Sequence, residues 1–332
     1  MTTINAQINT SAKINAQINT SAKISAKSLV IGDVSKRSLG LDAVDNTSDL
    51  DKPISTAQQT AIEDNAAEIA IAKSLNVGTL FFLNDGTTLG SFASGQLNPD
   101  AVPDNAVRAD IGHAVTILGN SAFNSNFPSG SLNILTEVTI PTSVTEIQNS
   151  VFAYQKLTNI DIPNSVTSIG SQCFRANLLE SLSISGSVIS IGNSAFKDNL
   201  LTSVTFADTA TAGLRIEASA FQNNLITELN IGTSANIIGA SAFKDNNLTS
   251  IDIPSTVTSI GNSAFAVNTN LNTVTAFCPI SAFSGINIFA NTVSALTIYV
   301  DADDNSWDSL EALNPSSYQG IPAVTIRRIA RT

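Results

Sequence analysis

Histidine and cysteine are nearly absent from this chain: one His and two Cys stand among 332 residues. That scarcity excludes most metal centres, and His113 has no Cys or His at ligand spacing, so it reads as a cap or loop residue rather than a ligand or base. Cys173 and Cys278 lie about a hundred residues apart, which gives no disulfide framework. Cys173 also occupies the place that Ala fills in neighbouring segments (SQCF against NSAF) and reads as a small core residue. Charge is equally thin. Only 13% of residues are Asp, Glu, Lys or Arg, with 16 basic against 27 acidic and a net charge of -11. Nucleic acid and anionic membrane surfaces are poor partners for such a chain, because phosphate binding needs clustered bases. Arg327, Arg328 and Arg331 at the end are too few to alter that. No run of about 20 apolar residues is present, so membrane insertion is not expected. The N-terminus lacks a basic stretch followed by an apolar one, and the expectation is a protein made in the cytoplasm without a secretory signal. Gly-rich phosphate loops, nucleophile elbows and Cys/His clusters are missing too. The expectation is therefore a protein with no cofactor, no metal and no enzymatic activity.

What the chain does have is repetition, of two kinds. INAQINTSAK at 4–13 recurs unchanged at 14–23, followed by ISAK at 24–27. Ile, Ala and Thr fill the even positions, and Asn, Gln, Ser and Lys nearly all the odd ones. A period of two is that of a strand with one buried face, and the isoleucines fall at alternating gaps of four and six that no helical stripe can hold on one side. One strand alone cannot bury that row or satisfy its backbone. The segment is either disordered or paired with something outside itself, most simply copies of the same chain.

From about residue 107 a second repeat sets in, with a period near 22: LTEVTIPTSVTEIQNSVFAYQK, LTNIDIPNSVTSIGSQCFRANL, LESLSISGSVISIGNSAFKDNL, a unit three residues longer from Leu201, and two more from Ile226 and Leu248. A fixed period of this length means a solenoid, because one unit cannot bury its apolar face except against its neighbours. Leu248, Ile251 and Ile253 read as a first strand, ended by Pro254, which cannot donate to a ladder. VTSI reads as a second short strand, and Gly261 as a backbone position most residues resist. NSAF is a turn that drives a phenylalanine inward, giving Phe123, Phe152, Phe174, Phe196, Phe221, Phe243 and Phe265. KDNN reads as the corner before the next strand, where Asn tolerates left-handed geometry.

These units resemble the BspA-like leucine-rich repeats, whose pattern is close to LxxIxIPxSVTxIGxxAFxxC. The likeness covers roughly residues 107 to 300, with Asn where many members carry Cys at the corner. LTIYVDADDNSWDSLEALNPSSYQG resembles the family's terminal cap, a strand and a short helix bearing an aromatic, which implies that Trp307 and Leu310 close the open end. The resemblance implies a surface binding module, often an adhesin.

Between the two repeats lies LGLDAVDNTSDLDKPISTAQQTAI, residues 39–62. It resembles a segment of bacteriophage tail-fibre and other virion fibre proteins that joins an attachment region to a trimeric shaft. Ser55 or Thr56 can cap a helix starting at Ala57, and Ile62, Ala66 and Ile69 continue a narrow apolar stripe to about Asn76, too short to stand without partners. GTLFFLNDGTTLGSF reads as a hairpin turning at NDG.

Assembled, the expectation is a mainly β protein: a β-type and coiled-coil trimeric stem followed by a BspA-like solenoid of about 22-residue repeats. Its parts are an alternating attachment or shaft segment (1–34), a fibre-like connector with a short coiled-coil helix (35–76), a hairpin and linker acting as a hinge (77–106), the solenoid (107–298) and a C-terminal cap (299–332). The function this implies is a phage virion fibre or appendage: a homotrimer attached through its N-terminus to tail, neck or capsid proteins, displaying the repeats on the particle surface to a protein or glycan receptor of the host. The alternative is a bacterial BspA-like adhesin that binds a host protein or polysaccharide. A glycan depolymerase would need paired carboxylates in a groove. The candidates for an exposed ladder are Glu137, Asp161, Glu180, Glu228 and Asp252, which are otherwise a solvated face.

Overall fold

The computed structural model describes residues 30–31, 79–83, 86, 88–91, 95–97, 106–124, 134–208, 213–293, 295–309 and 323–329. The INAQINTSAK units, the fibre-like segment 39–62 and the expected coiled-coil helix lie outside the described residues.

The 22-residue units wind into a β-solenoid of about eight turns, each contributing short strands to two faces. One face is a continuous parallel ladder of eight strands: Gly95–Leu97, Val115–Leu118, Glu146–Ile147, Ser168–Ile169, Ser190–Ile191, Leu214–Ile216, Ala235–Ile238 and Ser259–Ile260. The LxxIxI segments build the other face, which runs as three sheets. The first holds Ala106–Asp110 beside Glu137–Thr139, the second Ser181–Ile184, Ser203–Phe206 and Glu228–Asn230, and the third begins at Ser250–Ile253 and continues through Thr273–Ala276, Ala295–Asp301 and Ala323–Ile329. Register is in phase with the repeat: Ser181, Ser203 and Glu228 are aligned partners, as are Ser250, Thr273, Thr297 and Thr325. The longer unit has its three extra residues between Phe206 and Leu214, ahead of its second strand, and the strand that follows pairs with a one-residue register shift at Asn236.

Alternation explains the core. In Ser250–Ile253 the burial alternates out, in, out, in, so Ile251 and Ile253 point inward. Pro254 follows, and its carbonyl accepts from Val257 N at 3.1 Å to close the turn into the second strand. At the third side the NSAF turns stack their rings. Phe123, Phe152, Phe174, Phe196, Phe221, Phe243, Phe265 and Phe289 lie 4.9 to 6.0 Å apart between centroids, nearly parallel through the middle of the array. Offset stacking at this spacing is favourable beyond the area it buries. Cys173 is fully buried within this column of turns, as its sequence context implies.

Two local expectations are corrected. Gly261 has no unusual φ; what it supplies is space, because a Cβ there would lie 2.5 Å from Ala240 N of the preceding coil. Gly170, Gly192 and Gly239 face the same backbone approach. The left-handed residues sit elsewhere, at the Ser of each NSAF turn (Ser194 φ 56, Ser241 φ 56) and again four residues later (Asp198 φ 60, Asp245 φ 57). Within KDNN the left-handed residue is thus Asp245, and Asn246 turns its side chain into the core. These two kinks reverse the donors. Strand N–H groups reach back to the preceding coil (Gly170 N to Ile147 O, 2.7 Å), whereas turn N–H groups reach forward to the next one (Phe174 N to Ala195 O, 2.8 Å).

The inward asparagines form a buried polar column. Asn177, Asn199, Asn224, Asn246 and Asn268 each donate from Nδ2 to two phenylalanine carbonyls, one in the same coil and one in the coil before. Their Oδ1 atoms accept from the first-strand N–H of the preceding coil, as Asn199 does from Leu179 N at 3.3 Å. Gln155 does the same in the first full unit, with Nε2 on Phe123 O and Oε1 taking Leu135 N. Backbone groups left open by the kinked corner are thereby satisfied, as buried polar groups require.

Both ends are closed by aromatics set against the grain of the stack. At the N-terminal end, Thr79–Leu83 pairs antiparallel with Thr88–Ser91, turning at Gly86 (φ +84), and on its other side with Ala106–Asp110. Phe81 is fully buried and tilts 56° to Phe123. Where the sequence suggested a hinge, the hairpin is hydrogen-bonded into the solenoid, and Gly95–Leu97 is already the first rung of its ladder. Val30–Ile31 pairs antiparallel with the hairpin's outer strand. At the other end Trp307, on a short 3-10 turn, is fully buried, edge-on to Phe283 at 5.1 Å, and donates from Nε1 to Cys278 O. Leu310 lies outside the described residues.

Candidate functional site

A solenoid with a closed core meets other molecules through its outer surface, and the first-strand face is a polar part of it. All five carboxylates singled out from the sequence are exposed on that face. They do not stack in one column. Glu137 and Glu228 occupy the position aligned with Ser181 and Ser203, Glu180 sits one residue earlier than Ser181, and Asp252 aligns with Thr275 two residues later. Asp161, between the buried Ile160 and Ile162, matches Asp252. The carboxylates thus step back and forth across the face, separated by hydroxyls and amides such as Ser183, Thr205 and Asn230. Such a staggered row offers separate acceptors over several coils rather than the facing pair that glycosidic cleavage uses.

Arg108 marks the N-terminal boundary of the face. It forks onto Asp110 at 3.1 Å, reaches Glu137 at 3.8 Å and lies over the Phe82 ring. From Leu135 to Ile253 the outward residues of the face include no Lys or Arg. Bases gather instead on the turn side, where Arg175 pairs with Asp198 at 3.3 Å and lies over Tyr154, and Lys244 meets Asp245 at 3.7 Å. Sequence reasoning did not anticipate this separation of charge between two sides of the coil, because it depends on which residues face outward at each corner. The second-strand face carries Glu146 and the Arg215–Glu217 pair at 3.0 Å, with Thr145, Thr167 and Thr258 donating to carbonyls of the preceding coil and Ile189 standing 60% exposed.

Among the described residues, both cysteines lie inside the core and away from the two faces. Burial raises the Cys173 thiol well above its ordinary range, and burial likewise pushes Cys278 up to about 12. Among the described residues no group of three or more His, Cys, Asp or Glu side chains could hold a metal ion. The shallow hollow beside the C-terminal cap is lined by Ser255, Phe277, Pro279, Asp301, Asp303 and Asp304. Its acids are engaged locally: Asp301 accepts from Asp303 N, and Asp304 from Ser306 N. No helix among the described residues is long and apolar enough to cross a membrane.

Parallel ladders, a one-residue-type aromatic stack and a repeat-phased outer face define a β-solenoid repeat protein. The chain belongs to the BspA type leucine rich repeat family, whose repeat region matches residues 105–213 and 213–309 in six copies. Similar solved structures include a leucine-rich repeat protein from Bacteroides ovatus (19% identity, 71% of this chain and 65% of that one, TM-score 0.46). Others are a leucine rich cell surface protein from Faecalibacterium prausnitzii (21% identity, 60% and 61%, TM-score 0.33) and the pneumococcal vaccine antigen PcpA (16% identity, 65% and 75%, TM-score 0.39). The chain spans under two thirds of the length of the first two. A comparison with curated proteins finds no match.

Proposed function

We propose that this protein is a non-enzymatic surface-displayed binding module of the adhesin type, which contacts a protein or polysaccharide of a host surface through the first-strand face of its solenoid. The observation that carries this reading is the face itself. It is polar, repeat-phased and free of bases from Leu135 to Ile253, and it is mounted on a closed apolar core. Its hydroxyls, amides and staggered carboxylates suit a ligand that presents hydroxyls or positive charge over several coils. The test is adhesion of the full chain to immobilised host proteins and glycans. Glu137→Gln, Glu180→Gln and Glu228→Gln together should weaken capture at least several-fold and flatten its salt dependence. Unchanged capture by that triple variant would assign binding to another surface.

A second reading rests on a different observation, the fibre-like segment at 39–62. On that reading the adhesive solenoid is the exposed head of a phage virion fibre, held as a homotrimer by the stem and joined through its N-terminus to tail, neck or capsid proteins. Mass spectrometry of purified phage particles decides it: the chain is either a stoichiometric virion component or absent.

A further inference from the structure

The corner between the turn side and the first-strand face carries a feature that ligand binding does not use. In three consecutive coils the residue just before the first strand is an exposed leucine: Leu178 (42% exposed), Leu200 (42%) and Leu225 (44%). They stand in register, since Leu178 N, Leu200 N and Leu225 N all donate to the first residue of the preceding coil's strand, the carbonyls of Leu157, Leu179 and Leu201. Lys156 fills this position in the coil before, and Asn247 in the coil after, so the apolar stripe has polar ends. Tyr154, 41% exposed, lies beside its upper end.

The two sides that meet at the stripe differ in charge, one acidic and the other carrying a small excess of bases. On the first-strand side are Glu137, Asp161, Glu180, Glu228 and Asp252 with no base among them. On the turn side Arg175 and Lys244 are paired with Asp198 and Asp245, which leaves Lys197 there and Lys156 on the corner itself to face an acidic neighbour. At the level of Leu178, Arg175 lies three residues before the leucine and Glu180 two residues after it.

We infer that this corner is an interface between copies of this chain, with the solenoids side by side and parallel around a rotation axis that runs along the leucine stripe. The occupant follows from symmetry. Rotation about an axis parallel to the solenoid brings equivalent leucines together and turns the acidic side of each copy toward the basic side of the next. An antiparallel pair, related by an axis across the stripe, would set acid against acid and base against base. Parallel packing is therefore the arrangement whose charges agree, and it places all N-termini at one end. Three leucines make a short stripe, so the contact adds specificity and register to chains already held near one another.

Site-directed cross-linking of the full chain tests this directly, because both native thiols are buried. Leu178→Cys, Leu200→Cys and Leu225→Cys are compared under mild oxidation with Ile189→Cys, which is exposed on the second-strand face. The expected result is an interchain disulfide in each leucine variant by itself, forming at least ten times faster than with Ile189→Cys. Adding Glu180→Lys should slow the Leu178→Cys reaction several-fold. Cross-linking of Leu178→Cys only when mixed with Leu225→Cys would overturn the parallel arrangement. Rates no faster than the Ile189→Cys control would overturn the interface altogether.

Discussion

Replacing Asn199 is the sharpest test of what holds the coils in register. Its amide makes three buried bonds: Nδ2 to Phe174 O at 2.9 Å and Phe196 O at 3.0 Å, and Oδ1 from Leu179 N at 3.3 Å. The three partners do not lose equally in Asn199→Ala. Phe174 O keeps a bond from Asn177 at 3.1 Å, and Phe196 O keeps one from Asn224 at 3.0 Å. Leu179 N loses its acceptor. One stranded buried N–H costs about 1–3 kcal/mol, and two weakened carbonyls about 0.5–1 each, so the expected loss is about 2–5 kcal/mol. Asn199→Asp separates donation from acceptance. The carboxylate can still take Leu179 N–H, but it sets its charge against two carbonyl oxygens in a buried place, which raises its folded pKa above the unfolded carboxylate value near 4. A carboxyl with a raised folded pKa favours the native state when protonated, so the Asp variant should lose stability relative to wild type as pH rises above about 4. Urea unfolding of the full chain, followed by circular dichroism at pH 4 and pH 7, reads both effects. A shift of under about 0.5 kcal/mol for Asn199→Ala, or an Asp variant that gains on wild type toward pH 7, would refute the claim that the asparagine column carries register.

Other consequences are as direct. Gly261→Ala should cost about 1–3 kcal/mol by overpacking against Ala240 N, whereas Gly86→Ala, with open space but a φ of +84, should cost about 1 kcal/mol; paired denaturation curves compare them. Trp307→Ala should destabilise the C-terminal cap by about 3–5 kcal/mol. Because Trp307 is the one tryptophan of the chain, native emission should be blue-shifted and should move red when the cap opens. Cys173 and Cys278, both with raised thiol pKa values, should resist a disulfide reagent at pH 8 in the folded protein and react fully once urea unfolds it.

Much of the architecture was legible before any coordinate was known, because it resides in local periodicities. The 22-residue period, the alternating LxxIxI strand, the inward phenylalanine, the stop at Pro254 and the NDG hairpin each follow from residue type and spacing. So did the burial of Cys173 among alanines, whereas the closing role of Trp307 came from the resemblance of the C-terminal segment to the family's cap. Tertiary structure alone decided how successive coils meet. Gly261 reads as a conformational glycine in one unit, and only the neighbouring coil reveals that the constraint is the nearness of another backbone. Asn246 and Asp245 look interchangeable as corner residues, until stacking shows one inside bonding two carbonyls and the other outside with φ 57. The carboxylates were identifiable one by one, but their stagger, and the separation of acid and base about a leucine corner, arise from register between coils. A linear sequence fixes which side chains a coil points outward; only the stacking of one coil on the next decides which of them become neighbours.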